Sequence, residues 1–232
     1  MGSIQSNLTL TITRKQVVVF SGSLIIVLMM TVLALWAAEH RPLEMEQLCR
    51  EDGFVETGTA IAYLAAGLIF CWIGATRVKI RWATSFLAAL MIFVAGEELN
   101  WGQRIFEIET PSQLAEVNVQ GEISVHNLSP LHGITRALGL LFILGYCLIL
   151  PLIAKIHHRT QRYCSQYDVP LYPFHASGWI FLAVLLMAIP RFAFGTISYE
   201  LDELGEAVLA LAFLYFSMNC LLNVNRKVST AL

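Results

Sequence analysis

Long apolar runs alternate with short polar segments along the whole chain. Six stretches contain no charged residue, and they cover residues 16–38, 57–76, 82–96, 137–154, 177–190 and 207–225. A helix needs roughly 20 residues to cross the hydrocarbon core of a bilayer. The two shortest runs, 82–96 and 177–190, reach that length only by continuing through charged residues. The pattern predicts an all-α integral membrane protein, a six-transmembrane-helix bundle with helices at about 16–38, 55–76, 82–106, 133–156, 177–198 and 203–225.

The composition agrees with a membrane location. The chain has 232 residues, of which 56% are hydrophobic and only 14% are charged, whereas soluble domains carry about 25% charged residues. Too little polar surface is present to cover a water-facing globule. At this length we expect a single membrane domain over 1–232, without a separate soluble domain. The net charge of −2 lacks the basic excess of a nucleic-acid-binding protein.

The basic residues predict the orientation, because cytoplasmic loops accumulate Lys and Arg. Ten of the 15 lie on one side of the predicted bundle: Arg14, Lys15, Arg77, Lys79, Arg81, Lys155, Arg159, Arg162, Arg226 and Lys227. Both termini are therefore predicted to be cytoplasmic in a multi-pass protein of a bacterial cell (inner) membrane. Of the 17 acidic residues, 16 fall in the segments 39–56, 97–122 and 200–206. These segments are predicted to face the periplasm or exterior.

Glu97 and Glu98 are the acidic residues that most need an explanation. The predicted third helix runs outward, so both lie near its C-terminus, where the helix dipole disfavours negative charge. If this helix starts at Trp82, Glu97 lies about 22 Å along its axis, inside a core roughly 30 Å thick. An ionisable residue at that depth indicates a functional site. The alternative is a structural ion pair with Arg191, which follows Pro190 in the predicted fifth helix.

Further polar residues follow this acidic pair. Three of them, Asn100, Trp101 and Arg104, are spaced to lie with Glu97 on one face of a continuing helix. Residues 110–113 then read Thr-Pro-Ser-Gln, which is typical of a helix start with Thr as N-cap, Pro at the first position and Gln at the third. We therefore expect a short interfacial helix in the outer loop between helices 3 and 4.

Glu122 and His126 are four residues apart and would share one face of a helix. This spacing suits a metal carboxylate with an imidazole ligand, or an acid that orients a general base. The alternative is a solvated contact without function. The pattern is neither HExxH nor the ExxH of ferritin-like proteins, so it implies neither zinc-protease nor di-iron chemistry.

Two resemblances to known families rest on these motifs. The pattern Gly96-Glu97-Glu98 with Trp101-Gly102-Gln103-Arg104, followed by Asn118, Gln120-Gly121-Glu122 and His126-Asn127, resembles a family of uncharacterised bacterial polytopic membrane proteins, and it implies no activity. Cys49, Glu51 and Glu56 are similar to the alkaline ceramidase-like membrane hydrolases, which implies calcium near such acids and zinc on histidines of the last helix. The last predicted helix of this chain has no histidine.

We expect a metal-assisted enzyme, a hydrolase or transferase, that acts on a lipid or lipid-linked substrate at the outer membrane interface. Its catalytic residues are expected to be Glu97, Glu98 and His126, and its metal ligands Glu97, Glu98, Glu122, His126 and Glu203. Oxygen-rich ligands favour Mg²⁺, Mn²⁺ or Ca²⁺ over zinc. Substrate binding is expected from Trp101, Gln103, Arg104, Arg191 and Asn127, with the arginines on an anionic headgroup and Trp101 along an acyl or sugar group.

Two other functions fit the same residues. A small transporter or proton-translocating protein would use the embedded acids as a cation or proton site. A membrane scaffold would use the outer acids only to contact partner proteins. The inner halves of most apolar runs, such as 17–19 and 70–73, carry no polar side chain, and this favours a one-sided site over a transport route.

Overall fold

The chain is described by a computed structural model that covers residues 22, 25–26, 28–30, 32–33, 35–37, 39–50, 53–76, 82–103, 105–129, 131–193 and 198–229. For 132–133, 189–193, 198 and 224–229 it describes the backbone only. Within these ranges the chain is mostly helical and has no strand. Most of the predicted first helix, 16–38, lies outside the described residues.

The helices are α1 (Pro42–Cys49), α2 (Phe54–Ala75), α3 (Trp82–Glu98), α4 (Ser112–Ala115), α5 (His132–Phe142), α6 (Leu150–Ile156), α7 (His158–Gln166), α8 (Ser177–Ala193) and α9 (Ser198–Ser229). A π-helical segment, Ile143–Ile149, joins α5 to α6. Short 3₁₀ turns occur at Asn100–Gly102 and Phe174–Ala176. Helices α2 and α5–α6 begin and end within a residue or two of the bounds predicted from the apolar runs.

Among the described residues, three helical segments are long and apolar enough to cross a membrane: Pro42–Ala75, Ile134–Ile156 and Tyr199–Asn223. Shorter apolar helices occur at Leu28–Ala37 and Phe174–Ala188, and α3 has 17 residues. The apolar helices are those of a membrane protein. Six spans, cytoplasmic termini and an interfacial position of α4 stay predictions.

Helix α2 packs between α3 and α9, and α9 also packs on α8. The shared core is aromatic: the rings of Phe70 and Phe216 meet edge to face with centroids 5.5 Å apart. Gly67 permits a close approach of α2 to α3, because a Cβ at this position would lie 2.7 Å from Cγ1 of Ile92. This packing brings the start of α2, the end of α3 and the first turns of α9 to one end of the molecule.

Helix α3 ends at Glu98 and does not continue to residue 106 as the sequence pattern predicts. The three residues of the following 3₁₀ turn all have positive φ: 47° at Asn100, 54° at Trp101 and 76° at Gly102. Asn and Gly enter this left-handed region readily, whereas Trp does so at a cost. The turn reverses the chain over the last turn of α3.

Helix α9 also departs from its predicted bounds. It starts at Ser198, several residues before the predicted start at 203. Asp202 and Glu203 therefore lie in its second turn. A helix that started at residue 203 would place both at its N-terminal cap, and the observed start does not.

Candidate functional site

The centre of the site is the carboxylate of Glu97, whose residue is only 5% exposed. Its Oε1 accepts a hydrogen bond from the indole Nε1 of Trp101 at 2.6 Å. Its Oε2 accepts from the backbone N–H groups of Val125 and His126, both at 2.8 Å. The Nδ1 atom of His126 lies 3.1 Å from the same oxygen. One side chain thus joins the end of α3 to a loop that is 28 residues away along the chain.

The contact with Glu97 sets the orientation of the imidazole. An ionised carboxylate can only accept hydrogen bonds, and it has about four acceptor positions. Beside an ionised Glu97, Nδ1 of His126 is the donor in this contact, and Nε2 is the ring nitrogen that does not face Glu97. The His126 side chain is 48% exposed. Nε2 is therefore open to a substrate, a water molecule or a metal ion.

The loop that carries His126, residues 117–129, is a short hairpin stabilised by backbone hydrogen bonds. The N–H of Val119 donates to the carbonyl of Asn127 at 2.8 Å, and the N–H of Ser129 donates to that of Val117 at 2.7 Å. Asn118 and Leu128 pair as an isolated antiparallel bridge.

The side chain of Asn118 explains why this loop is not helical. Its Oδ1 accepts from the N–H groups of Gln120 and Glu122, and its Nδ2 donates to the carbonyl of Ser124 at 2.8 Å. Such local bonds compete with helix formation, and Gly121 between them has a φ of 69°. The expectation that Glu122 and His126 share a helix face is wrong. Glu122 is half-buried in the hairpin.

Gln103 and Asn127, expected to bind substrate, take part in the hydrogen bonds of the loop. Gln103 accepts from the N–H of Ile123 at 2.9 Å and donates to the hydroxyl of Thr110. Asn127 is 3% exposed and donates to Gln120 and to Ser124 Oγ. Both amides hold the hairpin in place, so they have little exposed surface with which to contact a substrate.

The short helix expected near residue 110 is present as α4, but Thr110 does not cap it. Pro111 occupies the N-cap position and no side chain caps the helix. The Thr110 hydroxyl accepts the hydrogen bond from Gln103 instead. The predicted position of the helix start is correct, but its cause is the fixed φ of Pro111 and not capping by Thr110.

Trp101 folds back over the last turn of α3. A Cβ added to Gly96 would lie 2.9 Å from Cε3 and Cζ3 of the indole ring, so the ring rests directly on the glycine backbone. Phe93 contacts the same ring, with centroids 5.7 Å apart. The residue is still 46% exposed.

Four half-buried carboxylates lie near one another, and we refer to them as the carboxylate group: Glu56, Glu98, Glu203 and Glu206. They come from three helices, α2, α3 and α9. Glu98 interacts electrostatically with the other three and with Glu97, and Glu206 interacts with His126. The predicted residues Glu97, Glu98, His126 and Glu203 thus share one neighbourhood.

The predicted metal site is not formed by these side chains. No group of three or more His, Cys, Asp or Glu side chains in the described part of the chain is placed to hold a metal ion. Three contacts already surround Oε2 of Glu97, which leaves that oxygen little room to act as a ligand. Metal binding by Glu97, Glu98, Glu122, His126 and Glu203 therefore has no support from the geometry of the described residues.

Sequence reasoning missed a cation at the edge of the site. Arg136 in α5 forms an ion pair with Asp202 in α9 and interacts with Glu203 and Glu206. Both side chains of the pair are mostly buried, at 23% and 20% exposed. An arginine directly before an apolar run was the available signal, because it needs an anionic partner in that setting.

Glu206 was missed as well. It lies three residues after Glu203 and four after Asp202, which places it on the same side of α9. That spacing could have identified it.

Two predicted headgroup-binding residues are not covered by the structure. Arg104 lies outside the described residues, and only the backbone of Arg191 is described, within α8. Their binding of an anionic headgroup, and an ion pair of Arg191 with Glu97 or Glu98, stay predictions.

Comparison with known proteins adds no relative. No family model, curated protein or solved structure matches this chain. The two resemblances drawn from the sequence motifs stay predictions, and the function has to be argued from the geometry of the site.

Proposed function

We propose that the protein is a membrane enzyme, a hydrolase or transferase, that acts on a lipid or lipid-linked substrate at the outer membrane interface. In this proposal His126 is the general base and Glu97 is the carboxylate that orients it. The observation that carries the proposal is the contact between Glu97 Oε2 and His126 Nδ1, with Nε2 left free. A carboxylate paired with a half-exposed imidazole is a common acid–base arrangement in enzymes.

The chemistry follows from the free nitrogen. His126 Nε2 takes a proton from water, or from an acceptor hydroxyl in a transferase. The oxygen of that group forms a bond to the ester carbon or phosphorus of the substrate, and the bond to the leaving oxygen breaks. The imidazolium then returns the proton to the leaving oxygen, while Glu97 stabilises its positive charge. A positioned general base contributes roughly 10² to 10⁴ to the rate.

Exposed apolar side chains near the site support a lipid substrate. Ile105 and Phe106, directly after the turn that carries Trp101, are 68% and 71% exposed, and Val119 at the hairpin is 62% exposed. Apolar side chains grouped beside a polar centre suit a surface that meets acyl chains. The Trp101 ring has the same mixed character, with an apolar face and a polar N–H.

The proposal places the acid–base step on Glu97 and His126 and routes no step through a metal. A divalent cation, Mg²⁺, Mn²⁺ or Ca²⁺, would supply electrostatic stabilisation of a developing anion, but the described side chains form no group of three ligands that could hold it. Assistance of this kind is a measured variable in the experiment below.

The test uses the full-length protein in vesicles of defined phospholipids and lipid-linked sugars, with products followed by mass spectrometry. His126→Ala should lower the rate of product formation by roughly 10² to 10⁴. His40→Ala is the matched control, because His40 is an exposed histidine that contacts Trp36 and should leave the rate unchanged. Product formation by His126→Ala at the wild-type rate would refute the general base. Each reaction is run with chelator and with added Mg²⁺, Mn²⁺ or Ca²⁺.

A second function, cation or proton translocation, is favoured by the carboxylate group. Glu206 lies within the apolar segment Tyr199–Asn223, and intramembrane acids mark ion pathways in many transporters. Proteoliposomes with an entrapped pH dye would show proton flux that Glu206→Gln abolishes. Flux that persists in this variant, or no flux in the wild type, would exclude this function for Glu206.

A further inference from the structure

Helix α7 lies at the point where an apolar segment ends. The candidate span Ile134–Ile156 stops just before it, and His157 between them has an extended backbone that breaks the helix. After α7 the chain enters the next apolar helix, Phe174–Ala188. Two apolar helices therefore flank α7, which places it at the level of the lipid headgroups if both enter the bilayer.

The exposed side of α7 is basic. Arg159 and Arg162 are both exposed, whereas Cys164 is buried against the protein. Lys155 precedes them at the end of α6. Between Glu122 and Glu200 the sequence contains a single acidic residue, Asp168. The three exposed basic residues Lys155, Arg159 and Arg162 therefore outnumber the acidic residues in this part of the chain.

Aromatic side chains accompany this charge. Tyr163 and Tyr167 are 61% and 52% exposed. The ammonium group of Lys155 lies 4.3 Å from the ring centroid of Phe174, which holds its charge at the same end of the molecule. Tyr and Trp concentrate at the membrane–water interface because their rings are apolar and their tips are polar.

We propose that α7 is a binding surface for the headgroups of anionic phospholipids, with Arg159 and Arg162 on the phosphates. The inference is independent of the enzyme function proposed above. Guanidinium groups bind phosphate through two parallel hydrogen bonds, and basic residues next to an anionic membrane surface each contribute about 1 kcal/mol. That energy corresponds to about fivefold in affinity for each arginine and about thirtyfold for both.

The experiment measures lipid binding to the full-length protein. Delipidated protein in a neutral detergent is titrated with phosphatidylglycerol or phosphatidylcholine, and bound lipid is counted by native mass spectrometry. Wild type should bind phosphatidylglycerol more tightly. The double variant Arg159→Gln/Arg162→Gln should lose that preference by about thirtyfold, and Arg159→Lys/Arg162→Lys should keep most of it because the charge remains.

The matched control is Arg41→Gln/Arg50→Gln, which removes two exposed arginines from another part of the chain. It should bind phosphatidylglycerol like the wild type, and melting temperatures should show that all variants are folded. Equal affinity of the wild type for the two lipids would overturn the proposal. So would an equal loss in the control, or binding of glycerol phosphate or an RNA oligonucleotide at α7 in place of the lipid.

Discussion

The substitution Gly96→Ala tests the turn that holds Glu97. The new Cβ would lie 2.9 Å from Cε3 and Cζ3 of Trp101 and 3.0 Å from Cη2. Carbon atoms pack at about 3.5 to 4.0 Å, so the indole has to move by about 0.6 to 1.1 Å. Its hydrogen bond to Glu97 is 2.6 Å long, and a shift of this size along the bond takes it to about 3.2 Å or more, the upper limit for a good hydrogen bond.

The expected magnitude combines three effects. Overpacking costs about 1 to 3 kcal/mol, and the weakened hydrogen bond costs about 1 kcal/mol more. The better helix propensity of Ala offsets about 1 kcal/mol of this. We therefore expect Gly96→Ala to lower the free energy of unfolding by about 1 to 3 kcal/mol, although exchange of Gly for Ala within a helix usually stabilises.

The matched control is Gly58→Ala in α2, because a Cβ at Gly58 meets no atom within 4 Å. This variant should gain up to about 1 kcal/mol, so the two variants should differ by about 1 to 4 kcal/mol. The assay is reversible unfolding in mixed detergent micelles, with intrinsic tryptophan fluorescence as a second signal. If Gly96→Ala proves as stable as Gly58→Ala, the indole does not rest on Gly96 and the description of the turn is wrong.

Three further outcomes are expected. Glu97→Gln should lower the detergent melting temperature, because the amide NH₂ would face other donors and leave a buried group unsatisfied, at a cost of about 1 to 3 kcal/mol. Glu98→Gln should be neutral or stabilising, because it relieves repulsion within the carboxylate group. The opposite order of melting temperatures would contradict the hydrogen bonds assigned to Glu97. Asp202→Asn should lower the free energy of unfolding by about 1 to 3 kcal/mol, which is less than the 3 to 5 kcal/mol of a fully buried ion pair because both partners are partly exposed. Adding Arg136→Met to this variant should recover most of the loss. No recovery would mean that the ion pair does not couple α5 to α9. Single cysteines placed at positions 45 and 120 should react with a membrane-impermeant reagent in intact cells, whereas a cysteine at position 79 should react only after permeabilisation. Reaction at position 79 in intact cells would reverse the predicted orientation.

The unusual position of Glu97 can be predicted from the sequence, but its hydrogen-bond partners cannot. Its depth in an apolar run and its position at a helix C-terminus identify it as unusual, because both the solvation and the dipole cost can be derived from the local sequence. Its partners cannot be derived in the same way. Two of the four donors are backbone N–H groups 28 and 29 residues away, and a backbone group leaves no residue-specific signal in a sequence.

For Trp101 the predicted proximity to Glu97 is correct, but the predicted continuous helix is not. A spacing of four residues from Glu97 indicates proximity on a helix, and the two side chains do meet. The structure achieves this after the helix has ended, through a left-handed turn at Asn100–Gly102. The Asn and Gly were visible signs of such a turn, but the apolar periodicity before them favoured continuation of the helix.

The sequence by itself determined the apolar helices and the segregation of acidic residues toward one end, because hydrophobic length and charge act locally along the chain. Only the tertiary structure decided that Glu98, Glu203 and Glu206 interact electrostatically and that Asn118 turns the His126 loop into a hairpin. The physical reason is that helix formation depends on neighbours three or four residues away. A site depends on which distant helices pack together, and packing in these apolar segments is decided by contacts such as that of Gly67 with Ile92, which no local pattern of the chain specifies.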